Sequence, residues 1–167
     1  MTGVDPERKA GAESQGSTPV LRAAAPLRVV LDTNVLVSLY VFADSRFATL
    51  RARIENGEWQ AVTNDACFRE FRRVLGYPLF ALTEVQQADA LAAYAASAMH
   101  HRDPAPTVAA ALPRCKDRDD QKFLELARDS KAGWLVTADK ALLRLARGEK
   151  LRGLFRILTP EAALTAK

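Results

Sequence analysis

From Leu27 onward the chain alternates short apolar runs with amphipathic helical segments, and this alternation limits the possible folds more than any other feature. Leu27–Leu31 is a β-branched run suited to a strand buried on both faces. Asp32-Thr33-Asn34 then supplies turn and cap chemistry ahead of an apolar helix over Val35–Phe42. Asp44-Ser45 caps a second helix, with Phe47, Leu50 and Ile54 on one face, and Asn56-Gly57 stops it. Trp59–Val62 is a second strand, and Thr63-Asn64-Asp65 caps a helix to about Leu75 with Phe71, Val74 and Leu75 inward. Tyr77-Pro78 breaks the pattern, after which Thr83 and Glu84 open an alanine-rich helix to about His100. The Pro104–Pro113 stretch admits a short strand around Val108. Asp119-Asp120 starts a helix through Arg128, Trp134–Thr137 is a strand, Lys140–Arg147 a helix and Phe155–Leu158 a last strand. Thr159-Pro160-Glu161 is a helix start with proline at its first position. Strands alternating with helices predict a three-layer α/β/α fold around a central parallel sheet of about four to five strands.

Residues 1–26 read differently. Half of them are Gly, Ala, Ser or Pro, and three acids balance three bases, so a mobile tail is expected before a domain spanning 27–167. Asp5, Glu7 and Glu13 interrupt any signal-like apolar stretch. The longest uncharged apolar runs, Val35–Ala43 and Ala90–Met99, fall well short of the ~18 residues of a membrane span. The chain is therefore expected to have no membrane partner. Two cysteines, Cys67 and Cys115, exclude a disulfide scaffold and fit a cytoplasmic location. Only His100 and His101 add to the soft-ligand inventory, so catalysis would have to run on carboxylates, hydroxyls or lysines.

In open α/β sheets the functional crevice lies beyond the carboxyl ends of the strands. Asp32 directly follows the first strand, and Asp139 follows the Trp134–Thr137 strand by one residue. Asp119 and Asp120 open a helix, and Glu70 lies on the helix after the second strand. Such a fold brings these positions to one sheet edge. Carboxylates gathered in a crevice resist joint ionisation, and a hard cation such as Mg²⁺ or Mn²⁺ resolves the repulsion. Such an ion can orient a phosphodiester and acidify an attacking water without histidine or cysteine. Taken singly, Asp32 and Asp139 read equally well as helix caps, and Glu70 as one member of a solvated helical ion pair.

Five ordered blocks resemble the PIN-domain family, and in particular its branch of toxin components of toxin–antitoxin systems. They are Val29–Ser38 with its Asp32-Thr33-Asn34, Glu70–Leu75, Cys115–Leu124, Leu135–Leu143 and Ile157–Pro160, together spanning about 27–161. The resemblance implies a metal-dependent ribonuclease with Asp32, Glu70, Asp120 and Asp139 as catalytic metal ligands. Asp119 would support or partly replace Asp120, and Asn34 and Thr137 would orient ligands or water. Arg69, Arg73, Lys116, Arg118 and Lys140 flank the acids and would grip an RNA backbone, with Arg72 beside them. The resemblance also implies a small antitoxin protein as partner and a homodimer. Two departures stand out: Lys116-Asp117-Arg118 where the branch more often has Arg-Asp-Pro, and Ala138 where glycine is common.

Other enzyme classes fit less well. An aspartyl-nucleophile phosphatase needs a second aspartate two positions after the first, and Asn34 stands there. No GxxxxGK[ST], GxGxxG or GxSxG occurs. The remaining alternative is a catalytically silent PIN-like module that binds RNA or protein.

Overall fold

The computed structural model describes residues 25–102 and 108–166. The tail expected at 1–26 lies outside the described residues as far as residue 24, as do 103–107 within the ambiguous proline-bounded stretch.

Five strands, β1 (Leu27–Leu31), β2 (Trp59–Thr63), β3 (Ala98–His100), β4 (Trp134–Val136) and β5 (Arg156–Leu158), form one sheet in the order β3-β2-β1-β4-β5. Every pairing is parallel. Among the described residues, seven α-helices connect or flank them: α1 (Thr33–Tyr40), α2 (Ala48–Glu55), α3 (Asp65–Leu75), α4 (Glu84–Ser97), α5 (Gln121–Asp129), α6 (Lys140–Leu145) and α7 (Pro160–Thr165). Consecutive parallel strands need crossovers, and the helical segments supply them.

The twofold periodicity of a strand divides the core into two. Val29 and Leu31 point to one face of β1 and Val30 to the other, and Ala61/Val62 and Trp134/Leu135 divide in the same way. The first face carries Leu36, Leu39, Leu50, Phe71 and Tyr94 from α1 to α4, with Ala163 of α7. The second carries Phe123, Leu124 and Ala127 of α5 with Leu142 of α6. The architecture is thus the expected three-layer α/β/α sandwich. Phe71 and Phe123 are wholly buried, each worth roughly 1.5–3 kcal/mol of transfer free energy. Trp59 and Trp134 meet edge to face, 5.2 Å between centroids, over the start of β1.

Three assignments differ from the sequence reading. The alanine-rich helix ends at Ser97, and Ala98–His100 form the edge strand β3 against Ala61–Thr63. Helical propensity favours continuation there, but the ladder with β2 supplies backbone hydrogen bonds that propensity cannot weigh. Conversely, Val108 is 91% exposed and the described residues around it form no strand. Helix α1 also starts two residues early, at Thr33, and leaves Phe42 outside it.

Candidate active site

Strand order reverses between β1 and β4, because β2 and β3 build outward on one side and β5 on the other. The carboxyl ends of β1 and β4 therefore diverge into a crevice at this switch point. Asp32, Glu70, Asp120 and Asp139 all line that crevice, which encloses about 400 Å³. Four chain segments thus deliver four carboxylates to one place. Val37, Phe42, Val74, Tyr77 and Phe80 form its apolar wall. A larger hollow of about 620 Å³ runs along the edge strand β5, lined by Arg147, Arg152 and Arg156 together with one acid, Glu149.

Asp32 occupies the N-cap position of α1, yet its side chain makes no capping bond. Its Oδ2 accepts from Thr137 Oγ1 at 2.5 Å and from Asn34 Nδ2 at 2.9 Å. The Asp32 amide donates to the Val136 carbonyl at 3.0 Å, which ties the end of β1 to β4. Burial raises the Asp32 carboxyl above its usual range, the Thr137 hydroxyl opposes the shift, and Glu70 and Asp139 add to it. Asp139 behaves differently: its Oδ1 accepts from the Ala141 and Leu142 amides at 2.6 and 2.9 Å, a true cap of α6. Thr137, fully buried, links the two acids, since its hydroxyl donates to Asp32 and accepts from the Asp139 amide at 2.9 Å. Asn34 completes the frame by accepting from the Ala138 amide at 3.3 Å.

Glu70 reaches the crevice from mid-α3. Its Oε1 accepts from Thr33 Oγ1 at 2.8 Å, and its Oε2 pairs with Lys122. Asp120 ends the 3-10 turn before α5 and is only half-buried; burial, with Asp32, Asp117 and Asp139 nearby, pushes its carboxyl up to about 6. Asp119 is exposed and does not line the crevice, although its carbonyl accepts from Lys122. Asp117 caps the turn by accepting from the Asp119 amide at 2.9 Å.

The basic residues divide spatially. Arg69 and Arg73 share with Glu70, Asp119 and Lys122 a groove of about 300 Å³ next to the crevice. Arg118 borders another hollow, of about 730 Å³, which Asp119 and Lys122 also line. Lys116 and Lys140 are exposed and line neither groove, and Arg72 lies over the Phe68 ring. Sequence reasoning passed over Thr33, Lys122 and the aromatic wall. Thr33 stood inside the Asp32-Thr33-Asn34 motif, while Lys122 carried no signal, because its partner lies on another helix.

The donor set is all oxygen and mostly anionic, which fits a hard divalent cation rather than a soft one. Among the described residues, no three His, Cys, Asp or Glu side chains are grouped closely enough to hold a metal ion as they stand. Nor is any described helix long and apolar enough to cross a membrane.

No curated protein matches the chain. The family model of the PIN domain, a nuclease-type fold whose enzymes generally act on nucleic acid and typically use divalent metals, matches residues 28–141, which take in all four crevice carboxylates and both strands at the switch point. The chain belongs to the PIN-domain family.

Proposed function

We propose that the protein is a Mg²⁺- or Mn²⁺-dependent endoribonuclease that hydrolyses RNA phosphodiester bonds in the crevice at the switch point. The observation that supports this most is the convergence of Asp32, Glu70, Asp120 and Asp139 from four segments into one crevice of a PIN-domain chain. All four would serve as ligands, with Asp119 outside the crevice as an accessory acid. A divalent ion held by these carboxylates would neutralise the phosphate and acidify an attacking water. The chain's own residues would position it. Thr137 and Asn34 hold the Asp32 carboxylate at a set angle, and the α6 amides hold Asp139. Arg69 and Arg73, beside Glu70, would grip the RNA backbone, with Arg118, Lys116 and Lys140 extending the positive rim.

The test is cleavage of an RNA panel by purified protein free of any inhibitor. Cleavage should require Mg²⁺ or Mn²⁺, stop with chelator, and be lost in Asp32→Asn and Asp139→Asn. No cleavage at any metal level would favour a silent RNA- or protein-binding module. The toxin role, exercised in the cytoplasm with a small antitoxin and as a homodimer, rests on the resemblance to the toxin branch. It predicts growth arrest on expression, relieved by a protein encoded next door; a harmless gene with no such neighbour would end it. Light scattering tests the dimer.

A further inference from the structure

Lys122 lies on the first turn of α5, two residues after Asp120, and its ammonium reaches across to α3. It pairs with Glu70 Oε2 and donates to the Asp119 carbonyl. Both side chains of the pair are mostly withdrawn from water, 19% exposed for Lys122 and 15% for Glu70. The second Glu70 oxygen accepts from Thr33. Glu70 therefore has a donor on each oxygen. Its three companions, Asp32, Asp120 and Asp139, make no ion pair with lysine or arginine among the described residues, although Lys122 also acts on Asp120 from a greater distance. Asp32 and Asp139 accept only from neutral hydroxyl and amide groups.

An ammonium is a compact, strongly hydrated point charge, and withdrawing it from water beside the crevice costs hydration and rotamer freedom. The Glu70 carboxylate beside it offsets most of that cost, with the Asp119 carbonyl adding to it, so the position is specified chiefly by the acid. Counting charges, four carboxylates lining the crevice and one ammonium beside it, in the adjoining groove, leave a formal −3. One divalent ion reduces that to −1. A second would meet Glu70 already engaged and would have to expel a like charge.

We propose that Lys122 is a resident counter-cation: it holds the place beside Glu70 that a second divalent ion would need, so the crevice takes up one divalent ion, on the side of Asp32, Asp120 and Asp139. This rests on the metal-dependent reading of the crevice, narrows its wild-type ligand set from four acids to Asp32, Asp120 and Asp139, and makes Lys122 a positioning residue acting through Glu70.

The experiment is a calorimetric titration of the full chain with Mn²⁺, with free ion counted by electron paramagnetic resonance. Neither readout depends on cleavage. Wild type should bind one equivalent, Lys122→Arg one, and Lys122→Met two, because Glu70 is then free. Methionine keeps an unbranched stem beside the Phe123 ring, which the ammonium now approaches to 5.0 Å from the centroid. Thermal unfolding in chelator checks each variant, and Lys122→Gln replaces Lys122→Met if the latter fails to fold. Two equivalents in wild type, or one in the neutral variant, overturns the lysine's part alone. No Mn²⁺ uptake by any chain overturns the metal reading together with it.

Discussion

Replacing Asp120 with asparagine should stabilise the protein in the absence of metal while impairing its function. Asp120 carries its carboxyl up to about 6, from an ordinary 3.8, because burial and then Asp32, Asp117 and Asp139 disfavour its charge, with Lys122 offsetting part. A group with a raised folded-state value binds more protons folded than unfolded between the two values. Its charge therefore erodes stability as pH rises from about 4 to about 6, and the full penalty is present above that. At 1.36 kcal/mol per tenfold change in proton affinity, the ceiling is about 3 kcal/mol. Asp120 is only half-buried, and solvent screening reduces the expectation to about 1 kcal/mol. Asp120→Asn should thus gain about 1 kcal/mol at pH 8 in chelator, roughly a 0.5 M rise in urea midpoint. The gain should shrink towards zero at pH 4, where aspartate itself is largely protonated. Millimolar Mg²⁺ should narrow the difference at pH 8, since an ion that binds only the folded wild type stabilises it. A variant no more stable than wild type at pH 8, or a gain equal at both pH values, would refute the repulsion argument.

Thr137→Val removes a buried hydroxyl that donates to Asp32 and accepts from the Asp139 amide. It should cost about 2–3 kcal/mol in urea unfolding and roughly 10–100-fold in metal affinity, with Thr137→Ser close to wild type. Asp139→Ala and Asp139→Asn should both lose cleavage, but only alanine removes the oxygen that caps α6, so alanine should be less stable by about 1 kcal/mol in thermal melts. Burial pushes the Cys67 thiol up to about 12 and Cys115 to about 11. A disulfide reagent at pH 8 should leave Cys67 unmodified until urea is added, and rapid labelling of the native protein would contradict its packing.

Asp32 and Asp139 illustrate how far residue patterns carry. Both follow strands and precede helices, so the sequence places both at the sheet edge and permits either to be a cap. Only Asp139 caps; Asp32 is instead held by Thr137, 105 positions away in the chain. The doubled acid is a similar case: adjacent residues at a helix start face different directions, and the 3-10 turn gives Asp120, not Asp119, to the crevice. Edge strand β3 escaped because its three residues continue an alanine-rich helical composition, and only the ladder with β2 makes them extended.

The sequence by itself determined the layer architecture, since hydrophobic periodicity is local and β1, β2 and β4 carry apolar residues on both faces. It also pointed Asp32, Glu70, the Asp119-Asp120 pair and Asp139 to one edge, because a parallel sheet delivers all its strand ends to the same side; which of the paired acids enters the crevice was decided by the structure. Tertiary structure decided the charge state of that edge. Lys122 meets Glu70 because α5 and α3 pack together near the switch point, and the aromatic wall faces the acids because α1 ends before Phe42. Such pairings depend on distances between helices far apart in the chain, which no spacing along it encodes.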